Sequence, residues 1–313
     1  MLGLLKQKID RQALVAVCPT SEAVAVARVR RNRDTPPVLE LCETHPTASL
    51  SVQAAEIAQR VRSLALDRYH CATTLGLGNY SLLFVEAPDV PPSELRAAIR
   101  WRIKDLIDFH IDDAVIDVFE VPNQKATGKN AMMYAVVARS SVVRQQIGLL
   151  TGAGLNLEII DIPELALRNV AALLPEDVAG VALLHLSGRS GLITLTRQGT
   201  LYLSRRIETG WEMLAGDLDH MESKLDRVIV EIQRSLDYYE SHFMQPAITN
   251  VVVTPLPEGL DGVAGYLGDQ LGVAVRTMDI ASVIDTEQAL TRDAQCRCLV
   301  AIGAALRHES VEL

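Results

Sequence analysis

Aromatic side chains make up only 4% of the 313 residues, so a core must be assembled mainly from Leu, Val, Ile and Ala. Positive charge is also in short supply: 30 Lys and Arg face 39 Asp and Glu, for a formal net charge of -9. A phosphate-binding surface needs concentrated basic residues, so nucleic acid is not an expected partner. The densest basic cluster, Arg28, Arg30, Arg31 and Arg33, precedes Thr35-Pro36-Pro37 and reads as the solvated tip of a hairpin rather than a lipid or nucleic-acid patch. No run approaches the roughly 20 apolar residues that a membrane span requires. Lys6 and Lys8 follow Leu4 and Leu5 without a long apolar run and a small-residue cleavage site. No signal peptide is therefore expected, and the chain is expected in the cytoplasm. The cysteines agree with a reducing compartment: Cys18, Cys42, Cys71, Cys296 and Cys298 are odd in number and scattered. Cys296 and Cys298 form a lone C-x-C with no second pair, and the histidines lack H-E-x-x-H spacing, so no metal is expected. No G-x-S-x-G elbow is present either.

What the chain does have is 49% hydrophobic content with 22% charge, enough for a large core. Its length suits about two domains. Val-rich runs over 13–17, 23–29 and 38–41, separated by polar or Pro-containing turns, predict a meander of strands. Residues 54–66 carry apolar side chains at helical spacing, and strands are expected over 71–77 and 82–85. Pro88, Pro91 and Pro92 mark a boundary. Ser93 is then expected to cap a helix with Leu95, Ala98, Ile99, Ile103, Leu106 and Ile107 on one stripe. Strands over 115–121 and 132–138, joined by the polar loop 123–130, a helix over 140–150 ending at Gly152 and Gly154, and a strand over 157–160 complete a small α/β insertion.

The second half repeats the order of the first. Strands over 181–186, 192–196 and 201–207 lead to a long helix over 213–243, a strand over 250–253, a helix over 262–271 and a strand over 273–275. In the long helix Leu218, Met221, Leu225, Val228, Ile232, Leu236, Tyr239 and Phe243 form a stripe that faces either a core or another subunit. The last helix, over 292–307, is apolar on several sides and should be buried. His185 lies within an apolar strand and reads as a core imidazole.

Four segments resemble the PilM family of type IV pilus assembly proteins, relatives of FtsA and actin. They are 93–121 (SELRAAIRWRIKDLIDFHIDDAVIDVFEV), 154–169 (GLNLEIIDIPELALRN), 227–240 (RVIVEIQRSLDYYE) and 301–307 (AIGAALR). The DIPELALRN segment is most similar to the MshI branch, from mannose-sensitive haemagglutinin (MSHA) pilus clusters; the cytoplasmic part of GspL is more distantly similar. The resemblance implies an α/β, two-lobed actin-like fold with ribonuclease H-like duplicated lobes of the FtsA/PilM type. Lobe I would comprise 1–177 and 292–313, with the inserted subdomain at about 88–161. Lobe II would comprise 178–291.

Actin-like ATPases hold a metal-bound nucleotide with two phosphate loops and an adenine loop. The first loop resembles D-I-G-x-S-S-x-K in the family; here Ala16 replaces the acid, Cys18 the glycine and Ala23 the lysine. Pro19 also lacks an amide donor, and Glu22 adds negative charge. In the second loop the family's D-I-G corresponds to His185-Leu186-Ser187, so a second metal-side carboxylate is missing. Gly188-Arg189-Ser190-Gly191 either offers N–H groups and a cation or is a hairpin turn. The glycine run of the adenine loop corresponds to Pro255-Leu256-Pro257-Glu258. The resemblance with these losses implies a non-catalytic scaffold with no ATP or magnesium cofactor. The alternative is a nucleotide-binding ATPase with non-standard residues. The implied partner is the cytoplasmic N-terminal tail of a PilN-like inner-membrane protein, alongside assembly-platform or motor components. By analogy its groove lies near the 101–109 helix, with Trp101, Lys104 and Phe109 as candidates. Trp101 either anchors that tail or packs in the core.

Overall fold

The computed structural model describes residues 9–32, 35–121, 131–215 and 218–308. Lys6, Lys8, Arg33 and the polar loop 123–130 lie outside them. The chain begins with β1 (Asp10–Pro19), β2 (Ala23–Asn32), β3 (Thr35–Pro46), α1 (Leu50–Leu64) and β4 (Tyr69–Thr74). Next come β5 (Tyr80–Glu86), α2 (Pro92–Ile103), β6 (Ala114–Glu120), β7 (Met132–Arg139), α3 (Ser140–Gly152), β8 (Asn156–Asp161) and α4 (Pro163–Ala171). The second half comprises β9 (Val181–Leu186), β10 (Gly191–Arg197), β11 (Thr200–Ile207), α5 (Leu218–Phe243), β12 (Asn250–Val253), α6 (Val263–Leu271), β13 (Ala274–Thr277), β14 (Asp285–Thr286) and α7 (Arg292–Ala305).

Two larger sheets share one plan. The first has the order β14-β3-β2-β1-β4-β8 and the second β11-β10-β9-β12-β13. In each, an antiparallel meander leads through a helix to a strand parallel to the meander's first strand. Gln198 (φ 52) and Gly199 (φ 70) supply the tight β10–β11 turn, where two left-handed residues match the twist of the hairpin. Between the sheets lie α4 and α7. Their apolar side chains join Ala16, Leu39 and Ala27 of the first sheet to Val181, Leu183 and Val252 of the second in one core. The helices cross closely: a Cβ on Gly303 would lie 2.1 Å from the Ala166 carbonyl oxygen. Asn169 Nδ2 donates to the Gly303 carbonyl at 2.9 Å, so the crossing is pinned as well as packed.

A third sheet, β5-β7-β6, is covered on one face by Leu95, Ile99 and Ile103 of α2. Its membership corrects the expected insertion. The β5 strand, expected in the first lobe's sheet, pairs with β7, and β8, expected to close the insertion, pairs with β4. The other face of this sheet packs on β11 and α5 through Phe84, Phe119, Tyr134, Tyr202 and Phe243. The scarce aromatics are thus concentrated where the small sheet meets the second half. The stripe of α5 faces this core, with Met221, Leu225, Val228, Ile232, Tyr239 and Phe243 buried.

Other expectations shift for local reasons. Pro91, not Ser93, precedes the first turn of α2; its carbonyl accepts from Glu94 N, and Pro92 supplies the fixed φ suited to a first helical position. The helix stops at Ile103 instead of continuing through Phe109. The chain there turns back so that Ile107, Phe109 and Ile111 pack beside the α2 core. The long helix starts at Leu218 rather than residue 213, because Trp211 N and Glu212 N bond the Ser187 and Gly188 carbonyls and hold that stretch in a separate short turn. The described members of the basic cluster, Arg28, Arg30 and Arg31, do not form a solvated tip. Glu40, 8% exposed, pairs with both Arg28 and Arg30, Asp10 adds a second acceptor for Arg30, and Arg31 donates to the Leu306 carbonyl.

Candidate functional site

The three loop positions lie at strand ends along the first half of α7. In the β1–β2 turn the Thr20 amide bonds the Ala23 carbonyl at 2.8 Å, and the amides of Glu22 and Ala23 bond Thr20 Oγ1 at 3.3 and 3.1 Å. The outer carbonyls are taken too. Gln53 Nε2 donates to Thr20 O at 2.5 Å and Thr47 N to Glu22 O at 2.8 Å. The amide donors of Thr20, Glu22 and Ala23 are therefore engaged inside the turn. Ala16, Cys18 and Ala23 are buried, and burial pushes the Cys18 thiol up to about 11.

The second loop is a hairpin turn, closed by Ser187 N and Oγ, which both donate to the Ser190 carbonyl at 2.8 and 2.7 Å. Gly210 lies against it so tightly that a Cβ there would sit 2.3 Å from the Gly188 carbonyl oxygen. The Glu212 carboxylate covers Gly188, and Glu212 Oε2 stands 3.5 Å from Arg189 Nε. His185 is buried, with Nδ1 3.2 Å from Thr254 Oγ1, and burial holds its pKa down at about 4. Pro255 and Leu256 are buried at the end of β12, where Leu256 O accepts from Arg292 Nε at 2.6 Å. Pro257 follows, half-buried. Arg292 also pairs with Asp261 at 2.6 Å.

One cation links the first two loops. The Arg297 guanidinium lies 5.9 Å from the Trp211 ring centroid, and Trp211 is itself bonded to Ser187. Asp293, bonded at 2.6 Å, and more distantly Glu22 both stabilise the charge on Arg297. Protein groups thus occupy positions beside both turns. Among the described residues, no group of three or more His, Cys, Asp and Glu is placed to hold a metal ion.

The groove candidates do not close around a cavity. Trp101 is 73% exposed, which removes the core-packing alternative, and the Lys104 ammonium stands 5.5 Å from its ring centroid. Phe109 is half-buried beneath the Arg139 guanidinium at 4.3 Å. A cavity of about 290 Å³ lies instead between β5, β7, β11 and α5. Its lining includes Leu82, Phe84 and Tyr134, the run Leu203 to Arg206, and Glu164 with Tyr80. The Tyr80 hydroxyl donates to Glu164 Oε2. Burial raises the Glu164 pKa against the Tyr80 bond and the Arg206 charge, and burial with the Glu164 charge raises Tyr80. Three residues before Glu164, Asp161 is buried and paired with Arg307 at 2.8 Å; burial raises its pKa while the guanidinium opposes the shift. Sequence reasoning missed this cavity. The one local signal was the pair of acids in Asp161-Ile162-Pro163-Glu164, where β8 ends and α4 begins.

No family model matches the chain, and no curated protein matches it. Solved structures do. The PilM–PilN type IV pilus biogenesis complex contains a chain similar at TM-score 0.76 and 20% identity, covering 94% of this chain and 97% of that one. The cytoplasmic domain of EpsL, an inner-membrane component of the type II secretion system of Vibrio cholerae, aligns at TM-score 0.51 and 12% identity, with 95% and 96% coverage. These likenesses, with the two sheets of common order, establish the two-lobed actin-like fold. Among the described residues no helix is long and apolar enough to cross a membrane.

Proposed function

We propose that this chain is a non-catalytic scaffold of a type IV pilus assembly platform of the MSHA type, nearest the MshI branch of PilM-like proteins. It works in the cytoplasm against the inner membrane and holds the N-terminal cytoplasmic tail of a PilN-like membrane protein. Residues 1–177 with 292–313 act as one lobe and 178–291 as the other. No ATP or magnesium takes part. The observation that carries this reading is the β1–β2 turn, in which the amides of Thr20, Glu22 and Ala23 already have acceptors. Phosphate binding to a loop depends on N–H groups pointing at the ligand, and here those three are engaged by the turn itself. The fold likeness to a protein in a complex with PilN supports the partner.

The test is calorimetric titration of the full chain with a synthetic peptide of the PilN-like protein's cytoplasmic tail. Saturable binding at micromolar concentration is expected. Absence of binding at that concentration overturns the scaffold reading.

A further inference from the structure

We propose that Cys42 and Cys298 form an oxidation site, which a hydroperoxide converts to a disulfide that staples β3 to α7. The two residues are far apart in sequence and meet where α7 crosses the first sheet. Cys42 and Thr44 stand two residues apart on β3, so both side chains point to the same face. On that face Thr44 Oγ1 lies 3.0 Å from Cys298 Sγ, and the Cys298 thiol donates to the Glu43 carbonyl at 3.2 Å. The Cys42 thiol donates to the carbonyl of Ala294, one helical turn before Cys298, at 3.8 Å. It also hydrogen-bonds the Cys298 sulfur, so the two sulfurs are neighbours. Cys298 belongs to the core that joins the two large sheets, and Cys42 packs against that core.

Access and acidity separate this pair from the other thiols. Cys42 is half-buried, whereas Cys18, Cys71, Cys296 and Cys298 are buried. Burial pushes the Cys18 thiol up to about 11 and Cys296 up to about 12, and it raises Cys71 as well. Cys298 differs. The Cys42 hydrogen bond favours its thiolate, burial opposes it, and the Thr44 hydroxyl reinforces the first, so its pKa lies below the ordinary thiol value. The same bond raises Cys42, so the ionised pair holds one proton between its sulfurs. A thiol that solvent reaches thus stands beside one inclined to ionise, the setting of a peroxide-sensitive cysteine and its resolving partner. As the Cys42 sulfur attacks one oxygen of hydrogen peroxide, the shared proton stays on Cys298, the O–O bond breaks and hydroxide leaves. A sulfenic acid remains on Cys42. The Cys298 sulfur then attacks the Cys42 sulfur, the S–O bond breaks, and the departing hydroxide takes the Cys298 proton and leaves as water. The pair gives up two electrons and the peroxide takes them. In a reducing compartment a small thiol such as glutathione reverses the link, so it is transient.

The experiment treats the full reduced chain with hydrogen peroxide, alkylates the remaining thiols after denaturation and maps the peptides by mass. Three of the five cysteines are expected to be alkylated, with Cys42 and Cys298 joined in one cross-linked peptide pair. Dithiothreitol should return all five. Cys42→Ser, which removes the sulfur that solvent reaches, should leave every remaining cysteine open to alkylation after the same treatment. Because the link ties an early strand to the last helix, the oxidised wild type should melt about 5 °C or more above the reduced form. Full alkylation after peroxide, a link from either residue to Cys18, oxidation that stops at an oxygen adduct, or thiol loss in Cys42→Ser overturns the site. A link at the named pair with Tm unchanged or lowered overturns the staple, because the sulfurs would then have been drawn together against the fold.

Discussion

Replacing Gly303 by Ala tests whether α4 and α7 cross as closely as described. The added Cβ would sit 2.1 Å from the Ala166 carbonyl oxygen and 2.6 Å from its carbon. Both are backbone atoms, so no rotamer change relieves the contact, and the helices must part by about an ångström. Overpacking of this kind costs about 1–3 kcal/mol, and a backbone obstacle places the cost near the top of that range. Ala returns about 1 kcal/mol through helix propensity. The net loss is about 2 kcal/mol, or a fall in Tm of about 4–8 °C at the sensitivity of domains this large. Gly148, in the middle of α3, is the internal control, because nothing lies within 4 Å of its added Cβ. There the propensity term stands alone, and Gly148→Ala should raise Tm by about 2–4 °C. Thermal melts of the two variants therefore move in opposite directions. If Gly303→Ala is as stable as the wild type, the crossing is looser and the joint between the lobes has been misdescribed.

Two further outcomes follow from buried polar groups. The His185 pKa is held at about 4 instead of 6.5, so between those values the unfolded chain binds more protons than the folded one. The stability this group contributes is present above about 6.5 and lost as pH falls toward 4. Urea unfolding should show about 2 kcal/mol of it gone between pH 7 and pH 5, and that part should vanish in His185→Gln. Glu40→Ala leaves Arg28 and Arg30 without their shared buried carboxylate and should cost about 3 kcal/mol in the same assay at pH 7; a cost below about 0.5 kcal/mol would show the cluster to be solvated after all.

Strands were the most legible part of the fold. Runs such as Ala23 to Val29 in β2, bounded by turns, mark a strand by their Val-rich apolar character, with Val24 and Val26 in one core and Ala25, Ala27 and Val29 in another. The buried last helix was legible too, because Leu299, Ile302, Ala304 and Leu306 make its second half apolar on several sides. Illegible features depended on pairing between distant residues. Nothing local to Tyr80–Glu86 says whether it joins β7 or the first sheet, and nothing near Arg28 announces Glu40 across the hairpin. The end of α2 was hidden because Leu106 and Ile107 continue its periodicity while tertiary packing redirects the chain. At the site, the residue types of the three loops could be read from the sequence, whereas the engagement of the turn amides and the placing of Arg297 over Trp211 depend on tertiary structure. The cavity at Glu164 draws on β5, β7, α4, β11 and α5, and no single segment encodes it.

Thermal unfolding of the full chain in millimolar Mg-ATP bears most directly on the proposal that the loops no longer hold a nucleotide. A ligand present at 100 times its Kd adds about 2.7 kcal/mol to folded-state stability, a rise of about 5–10 °C here. The account predicts a Tm unchanged from that in Mg²⁺ alone. A rise of several degrees that requires the nucleotide would contradict it.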